Sequence, residues 1–240
     1  SHDPETLTPT GLYLEPAATN LFPYSQDFSQ SEWTKDNISL DSNTTATTAP
    51  DGTNTATLIT ATGNANHRIR DNFSLGTHQY TLSVFVKANT SNRIYLSISK
   101  SGNIGGQLQK VFKLDTEEVD TSAQAFGNTG TGKITKYPNN WYRIEGTSTE
   151  STATGNASVI IALLDDDGDY GFTASGESAY FWGAQLEQGA GSTSYITSTG
   201  QTNGATRSAD IFDSIGGSRL TRSNGKQAFY STDVISYFVA

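Results

Sequence analysis

The sequence predicts an all-β fold, a jelly-roll β-sandwich of two antiparallel sheets with a C-terminal extension. Three observations carry that expectation. Short apolar runs alternate with polar residues at a period of two, and no segment sustains an apolar period of 3.6 residues. The turn-forming residues Thr, Ser, Asn and Gly make up roughly two-fifths of the chain and punctuate those runs. The 11 Tyr, 11 Phe and 3 Trp argue against disorder, because disordered polar chains are poor in aromatics.

Taken in order, Ser1 to Thr10 is polar and Pro-bearing and reads as an arm or linker. The strand candidates are Thr55–Thr60, His67–Phe73, Gln79–Lys87, Arg93–Ser99 and Gln107–Leu114, followed by Trp141–Thr147, Ala157–Leu164 and Ser178–Glu187. Asp27 to Lys35 is expected to hold a single helical turn. In Gln79–Lys87, Tyr80, Leu82, Val84 and Val86 share one face, and Phe85 lies on the other. In Arg93–Ser99, Ile94, Leu96 and Ile98 oppose Arg93, Tyr95, Ser97 and Ser99. Such alternation places one face on a core and the other toward solvent. Val159 to Leu164 does not alternate, which predicts a central strand buried on both faces or under a loop. Eight or more strands over about 180 residues suit a jelly roll. The module is expected to span residues 11–200. Residues 201–240 form an extension with apolar runs at Ile211–Phe212 and Val234–Ala240, an oligomerisation segment or the start of a following element.

Composition limits the function classes. The 240 residues allow one large β domain or two small ones. No Cys is present, which removes disulfides, thiolate zinc sites and thiol nucleophiles. A net charge of −9 argues against gripping a nucleic-acid backbone. The run Val159 to Leu164 is far shorter than the roughly 18 residues of a membrane span, so no membrane insertion is expected. The chain does not begin with Met, so a processed start or an excised fragment is expected, with Ser1-His2 reading as a cloning scar. The five Asn-x-Ser/Thr sequons are close to the roughly four that this composition yields by chance, so they carry no weight.

No motif announces catalysis. His2, His67 and His78 form no metal-binding helical pair, and neither a nucleophile elbow nor a phosphate-binding loop occurs. Asp165, Asp167 and Asp169 alternate like the first ligands of a calcium loop. An EF-hand starting at Asp165 would need Gly where Tyr170 stands and Glu where Gly176 stands. A plain acidic turn is the competing reading, and Ca2+ stays a candidate cofactor without a firm ligand set. Sugar recognition needs exposed rings for stacking, flanked by Arg and planar amides that hydrogen-bond hydroxyl pairs. On the alternation, Phe85, Tyr95 and Trp141 are candidate stacking rings, and Arg93, Gln107, Gln109 and Arg143 are candidate hydroxyl binders. The competing reading buries these rings under loops.

One resemblance adds to this. The opening Gly11-Leu-Tyr-Leu-Glu-Pro-Ala-Ala-Thr-Asn-Leu-Phe, Trp33 and Ala49-Pro-Asp-Gly-Thr are followed by Tyr80-Thr-Leu-Ser-Val-Phe-Val-Lys-Ala and Phe112-Lys-Leu-Asp. Asn140-Trp-Tyr-Arg-Ile and Tyr180-Phe-Trp-Gly-Ala-Gln-Leu-Glu-Gln-Gly come next, and Thr193-Ser-Tyr-Ile-Thr-Ser-Thr-Gly and Thr206-Arg-Ser-Ala-Asp close the series. In this order the blocks resemble a module of bacteriophage tail fibres and minor tail proteins. That module is itself similar to jelly-roll carbohydrate-binding modules. The resemblance covers roughly Gly11 to Asp210 and implies a noncatalytic module on a virion, acting outside the cell. Its implied partners are a host cell-surface glycan and other virion tail proteins, with a homotrimer as the oligomer to expect. Where such sugar binders place acidic ligands for a structural calcium, this chain has Ser29 and Trp182-Gly183. The alternatives are a structural fibre spacer or trimerisation element, and an accessory module or part of a polysaccharide depolymerase.

Overall fold

The computed structural model describes residues 14–102, 105–121, 128–213, 219–221 and 227–229, with backbone only beyond residue 210. The N-terminal arm and the run Val234–Ala240 lie outside the described residues.

The chain enters through β1 (Ala18–Asn20), β2 (Thr34–Asp36), β3 (Ile38–Asp41) and β4 (Thr57–Ala61). It continues through β5 (Asn64–Leu75), β6 (Tyr80–Ala88), β7 (Arg93–Lys100), β8 (Leu108–Lys113) and β9 (Glu118–Asp120). Next come β10 (Thr131–Tyr137), β11 (Trp141–Thr147), β12 (Gly155–Leu163), β13 (Gly171–Thr173) and β14 (Ser178–Gln188). The described chain ends with β15 (Ala205–Arg207), β16 (Ile211–Asp213), β17 (Arg219–Thr221) and β18 (Gln227–Phe229). All eight runs picked out in the sequence form strands. Those that the sequence did not single out are mostly short, and β10 is an edge strand, so their pattern is weak. The segment Asp27–Lys35 holds turns rather than a helical turn, and runs into β2 at Thr34.

Two antiparallel sheets face each other. The front sheet has the order β10-β11-β6-β14-β4-β3 and the back sheet β13-β5-β12-β7-β8-β9, with β2 also on β5. The late strand β14 enters between β4 and β6, and β12 enters between β5 and β7. This is the winding of a jelly roll. Between the sheets lie Leu82, Val84, Val86, Ile144, Phe181 and Leu186 from the front, against Ile69, Ile94, Leu96, Ile98, Ile161 and Phe112 from the back. Each buried side chain of this size contributes roughly 1.5–3 kcal/mol. Phe22, Phe28 and Trp33 pack into the same core, with Phe22 and Trp33 centroids 4.5 Å apart.

Strand β12 accounts for the run without alternation. Val159, Ile161 and Leu163 face the central core, while Ile160, Ala162 and Leu164 pack on the opposite side with Tyr95, Val111 and Tyr170. Both faces are covered.

Regular structure continues past residue 200. Strand β15 pairs with β1, aligning Thr206 with Thr19, and the Asp210 N–H donates to the Glu15 carbonyl at 2.9 Å. Residues 205–207 therefore join the entering chain in a small two-stranded sheet, β1 with β15, beside the two main sheets. Strands β16 to β18 form a separate antiparallel meander that, among the described residues, pairs with no strand of the two main sheets.

Leu96 is fully buried on a central strand. Leu96→Ala is expected to lower unfolding free energy by about 2–5 kcal/mol, read as a shift of the urea midpoint.

Candidate functional site

The outer face of the front sheet is built from residues of one parity. Register aligns Thr135 with Arg143, Arg143 with Phe85 and Phe85 with Trp182, a row that crosses four strands. Beyond Trp182 the alternation changes. The register of β14 slips between Trp182 and Gln185, where Gly183 has φ 63. This bulge turns Ala184 and Leu186 into the core and leaves Gln185 and Glu187 on the same outer side as Trp182. A Cβ on Gly183 would also sit 3.1 Å from the Tyr195 ring and 3.2 Å from Phe85.

Two distant segments cover this face. One is the loop between β3 and β4. The Trp141 indole N–H donates to the Thr48 carbonyl at 2.9 Å, the Trp182 indole N–H donates to Thr55 Oγ1 at 2.9 Å, and Lys87 Nζ reaches Thr47 Oγ1 at 3.1 Å. The other follows β14. Glu187 accepts from the Thr193 backbone N–H at 3.0 Å and from the Thr193 hydroxyl at 2.6 Å, while the Ile196 N–H donates to Gln185 Oε1 at 2.7 Å. Asn20, fully buried, donates to the carbonyls of Ala184 and Ile196 at 3.0 and 2.9 Å. Its Oδ1 accepts from the N–H groups of Phe22 and Leu186 at 3.2 and 3.1 Å.

The two covers leave an open cleft of about 550 Å³. Phe85 and Trp182 form its floor, with centroids 5.3 Å apart and edge to face. Tyr137, edge-on to Phe85 at 5.1 Å, and Tyr195, 4.5 Å from Trp182, form half-buried walls. Arg143 lies over Phe85, its guanidinium carbon 5.4 Å from the ring centre, and its Nη2 donates to Ser83 Oγ at 3.0 Å. On the rim, Lys133 pairs with Glu145 at 3.3 Å, and Glu145 also accepts from the Ser192 hydroxyl. Glu15 pairs with Arg207 and accepts from the Ser194 N–H at 2.6 Å. Asp51 Oδ1 accepts from the Thr53 N–H and hydroxyl at 3.0 and 2.7 Å. Burial pushes the Tyr195 phenol above its ordinary pKa, so it stays neutral and shares a 2.5 Å hydrogen bond with Ser25.

The structure divides the sequence-derived candidates between opposite faces. Phe85, Trp141 and Arg143 lie on the front sheet. Arg93, Tyr95 and Gln109 lie on the outer face of the back sheet, and Gln107 precedes β8 at the end of that sheet. The expectation of solvent-open stacking rings is corrected for all three: Trp141 is 1 % exposed beneath the β3–β4 loop, Tyr95 is 4 % exposed against Tyr170 at 5.6 Å, and Phe85 is 5 % exposed under Arg143, Tyr137 and Tyr195. Burial likewise raises the Tyr95 pKa. Arg93 reaches Asp120 at 3.4 Å, and Gln107 Nε2 donates to the Lys100 carbonyl at 2.9 Å. Of the seven, Phe85 and Arg143 line the cleft. Tyr137, Trp182 and Tyr195 were not singled out. Period-two parity with Lys133 and Thr135 was the available signal for Tyr137. No local signal brings Tyr195 across from the segment between β14 and β15.

The acidic run closes as a turn. The Asp169 N–H donates to Asp165 Oδ1 at 2.7 Å, and the Gly168 N–H to the Asp165 carbonyl at 3.1 Å. Among the described residues no three His, Asp or Glu side chains group as a metal site. A second hollow of about 620 Å³ lies on the back sheet around Asn72, Lys100 and Asn156. Phe73 is its one aromatic lining residue.

No family model and no curated protein matches the chain. Among solved structures it is similar to the carbohydrate-binding module TmCBM61 in complex with β-1,4-galactotriose, at 12 % identity and a TM-score of 0.42, over 71 % of this chain and 99 % of that one. The CBM22-1 xylan-binding domain of Paenibacillus barcinonensis Xyn10C is similar at 12 % identity and TM-score 0.42, over 72 % and 97 %. The Clostridium thermocellum xylanase 10B fragment, with CBM22-1 and GH10 modules bound to xylohexaose, matches at 17 % identity and TM-score 0.38 over 72 % of this chain. The match spans only 28 % of that xylanase chain.

The cover after β14 hangs on few side chains, which makes it separately testable. Glu187→Ala is expected to raise hydrogen exchange at the Thr193 amide at least tenfold, measured by NMR, while strands β6 and β12 stay protected. Gly183→Ala is expected to cost about 1–3 kcal/mol in chemical denaturation, since Ala must adopt a positive φ against two rings.

Proposed function

We propose that the chain is a glycan-binding module and that the front-sheet cleft is its binding site. The single observation that carries this is the lining of the cleft. Aromatic rings form the floor and two walls, Arg143 is held over the Phe85 floor ring, and the hydroxyls of Thr135, Ser192 and Ser194 surround the opening. A pyranose presents one apolar C–H face and a rim of hydroxyls, and this surface answers both. The engaged state of the carboxylates supports binding rather than cleavage. Glu145 and Glu15 hold ion pairs with Lys133 and Arg207, and Asp51 holds its own turn. A glycosidase needs one carboxyl group as proton donor and a second as base or nucleophile.

The ordered sequence blocks support an adhesive setting, a phage tail-fibre module that grips host surface polysaccharide. Several copies on one particle would turn weak single sites into firm attachment. The separate β16–β18 meander favours a second reading, in which the C-terminal part joins or trimerises a fibre. Light scattering that finds a monomer at all working concentrations would remove that second reading.

Affinity electrophoresis against surface polysaccharides of candidate hosts tests the site. Tyr195→Ala and Tyr137→Ala are each expected to weaken binding tenfold or more, and Tyr95→Ala to leave it unchanged. Binding that survives both cleft variants but falls with Tyr95→Ala would move the site to the back sheet.

A further inference from the structure

We infer that the ligand of the front-sheet cleft is an anionic glycan, one whose carboxylate meets Arg143. This rests on the glycan-binding reading above and narrows it to a substrate class.

The cleft holds an unmatched positive charge. Arg143 is 7 % exposed, yet it has no carboxylate partner among the described residues. Its one hydrogen bond there runs from Nη2 to Ser83, and its Nε is shut from solvent and donates to nothing among those residues. A guanidinium carries five N–H donors and fits a carboxylate with two parallel bonds. Burying it without a counter-charge is costly, so a cleft that keeps it there has a use for an incoming anion.

The neighbouring charges do not fill that place. Glu145 is engaged by Lys133 and Ser192, Glu15 by Arg207 and Ser194, and Asp51 by Thr53. Lys133 and Arg207 are thereby also engaged, which leaves Arg143, among the described residues, as the cation of the cleft without a carboxylate partner. Phe85 beneath it and Ser83 beside it keep the group in place without neutralising it. A sugar hydroxyl can accept a hydrogen bond from Arg143, but only an anionic substituent also cancels its charge. The net charge of −9 repels a polyanion at a distance, yet that field fades over about 8 Å at physiological ionic strength. Contact with Arg143 therefore favours acidic polymers that present a carboxylate at the cleft over neutral ones.

The test is affinity electrophoresis of the full chain in gels containing polygalacturonate, alginate, hyaluronan or polysialate, each beside its carboxyl-reduced form, with xylan and galactan as neutral polymers. The expected result is that at least one acidic polymer binds tenfold or more tightly than its reduced form. Arg143→Gln, with an unchanged melting temperature, should abolish that preference. If Arg143→Gln does not fold, Arg143→Lys serves instead, and should weaken the acidic polymer severalfold because it loses the paired hydrogen bonds. Equal binding of acidic and reduced or neutral polymers, lost in Tyr195→Ala, overturns the inference and leaves the glycan-binding reading standing. Acid preference that persists in folded Arg143→Gln overturns the role of Arg143. Retardation by none of these polymers or of the host polysaccharides overturns both.

Discussion

A small set of buried polar contacts decides what the front sheet can do. Asn20 uses both faces of its amide to join the entering chain, the last long strand and the segment around Ile196. Gln185 and Glu187, one strand position apart on the same side, fasten Thr193 and Ile196 above the sheet. Each of these groups is almost fully removed from water, so each bond left unmade would cost about 1–3 kcal/mol. The polar residues in the middle of this sandwich are therefore fasteners. They convert a stretch without regular structure into a fixed wall, and Tyr195 stands in that wall.

The same logic explains why Trp33 and Trp141 are shut away as anchors while Trp182 is held fixed in the cleft floor. Trp33 fills the core end and donates to the Tyr24 carbonyl at 2.9 Å, while Trp141 and Trp182 each spend their N–H on a covering loop or strand residue. An indole that is apolar over its body and polar at one edge suits this work, since it packs on the sheet and ties down what lies above. The cleft is the remainder of the face that neither cover reaches. Its shape thus follows from two loops, while its chemistry follows from a row of strand residues beneath them.

The strands and the inward faces were legible because burial on one side writes a period of two into the sequence. Leu82, Val84 and Val86, and Ile94, Leu96 and Ile98, point to the core as their spacing dictates. The faces of Phe85, Arg143 and Tyr95 were legible too, but not their surroundings. Parity says that Phe85 and Tyr95 both point outward. It does not say that strands β6 and β7 belong to different sheets, which sets them on opposite sides of the molecule. Nor does it say which outward residues lie beneath a loop from elsewhere. Trp141 and Thr48 are far apart in sequence, and no local pattern links them. The bulge at Gly183 marks the same boundary, since the Trp-Gly-Ala-Gln block was conspicuous in sequence while its effect on facing was visible only in three dimensions.

A glycan seated in the front-sheet cleft must perturb the rings and amides that line it. Titration of the labelled chain with a bound oligosaccharide, followed by NMR of backbone amides and aromatic ring protons, tests this most directly. The largest shifts are expected at the rings of Tyr137, Tyr195 and Phe85 and at the amides of residues 192–195, with the back sheet unmoved. Shifts centred on Tyr95, Arg93 and Gln109, or around Asn72 and Asn156, would contradict that placement.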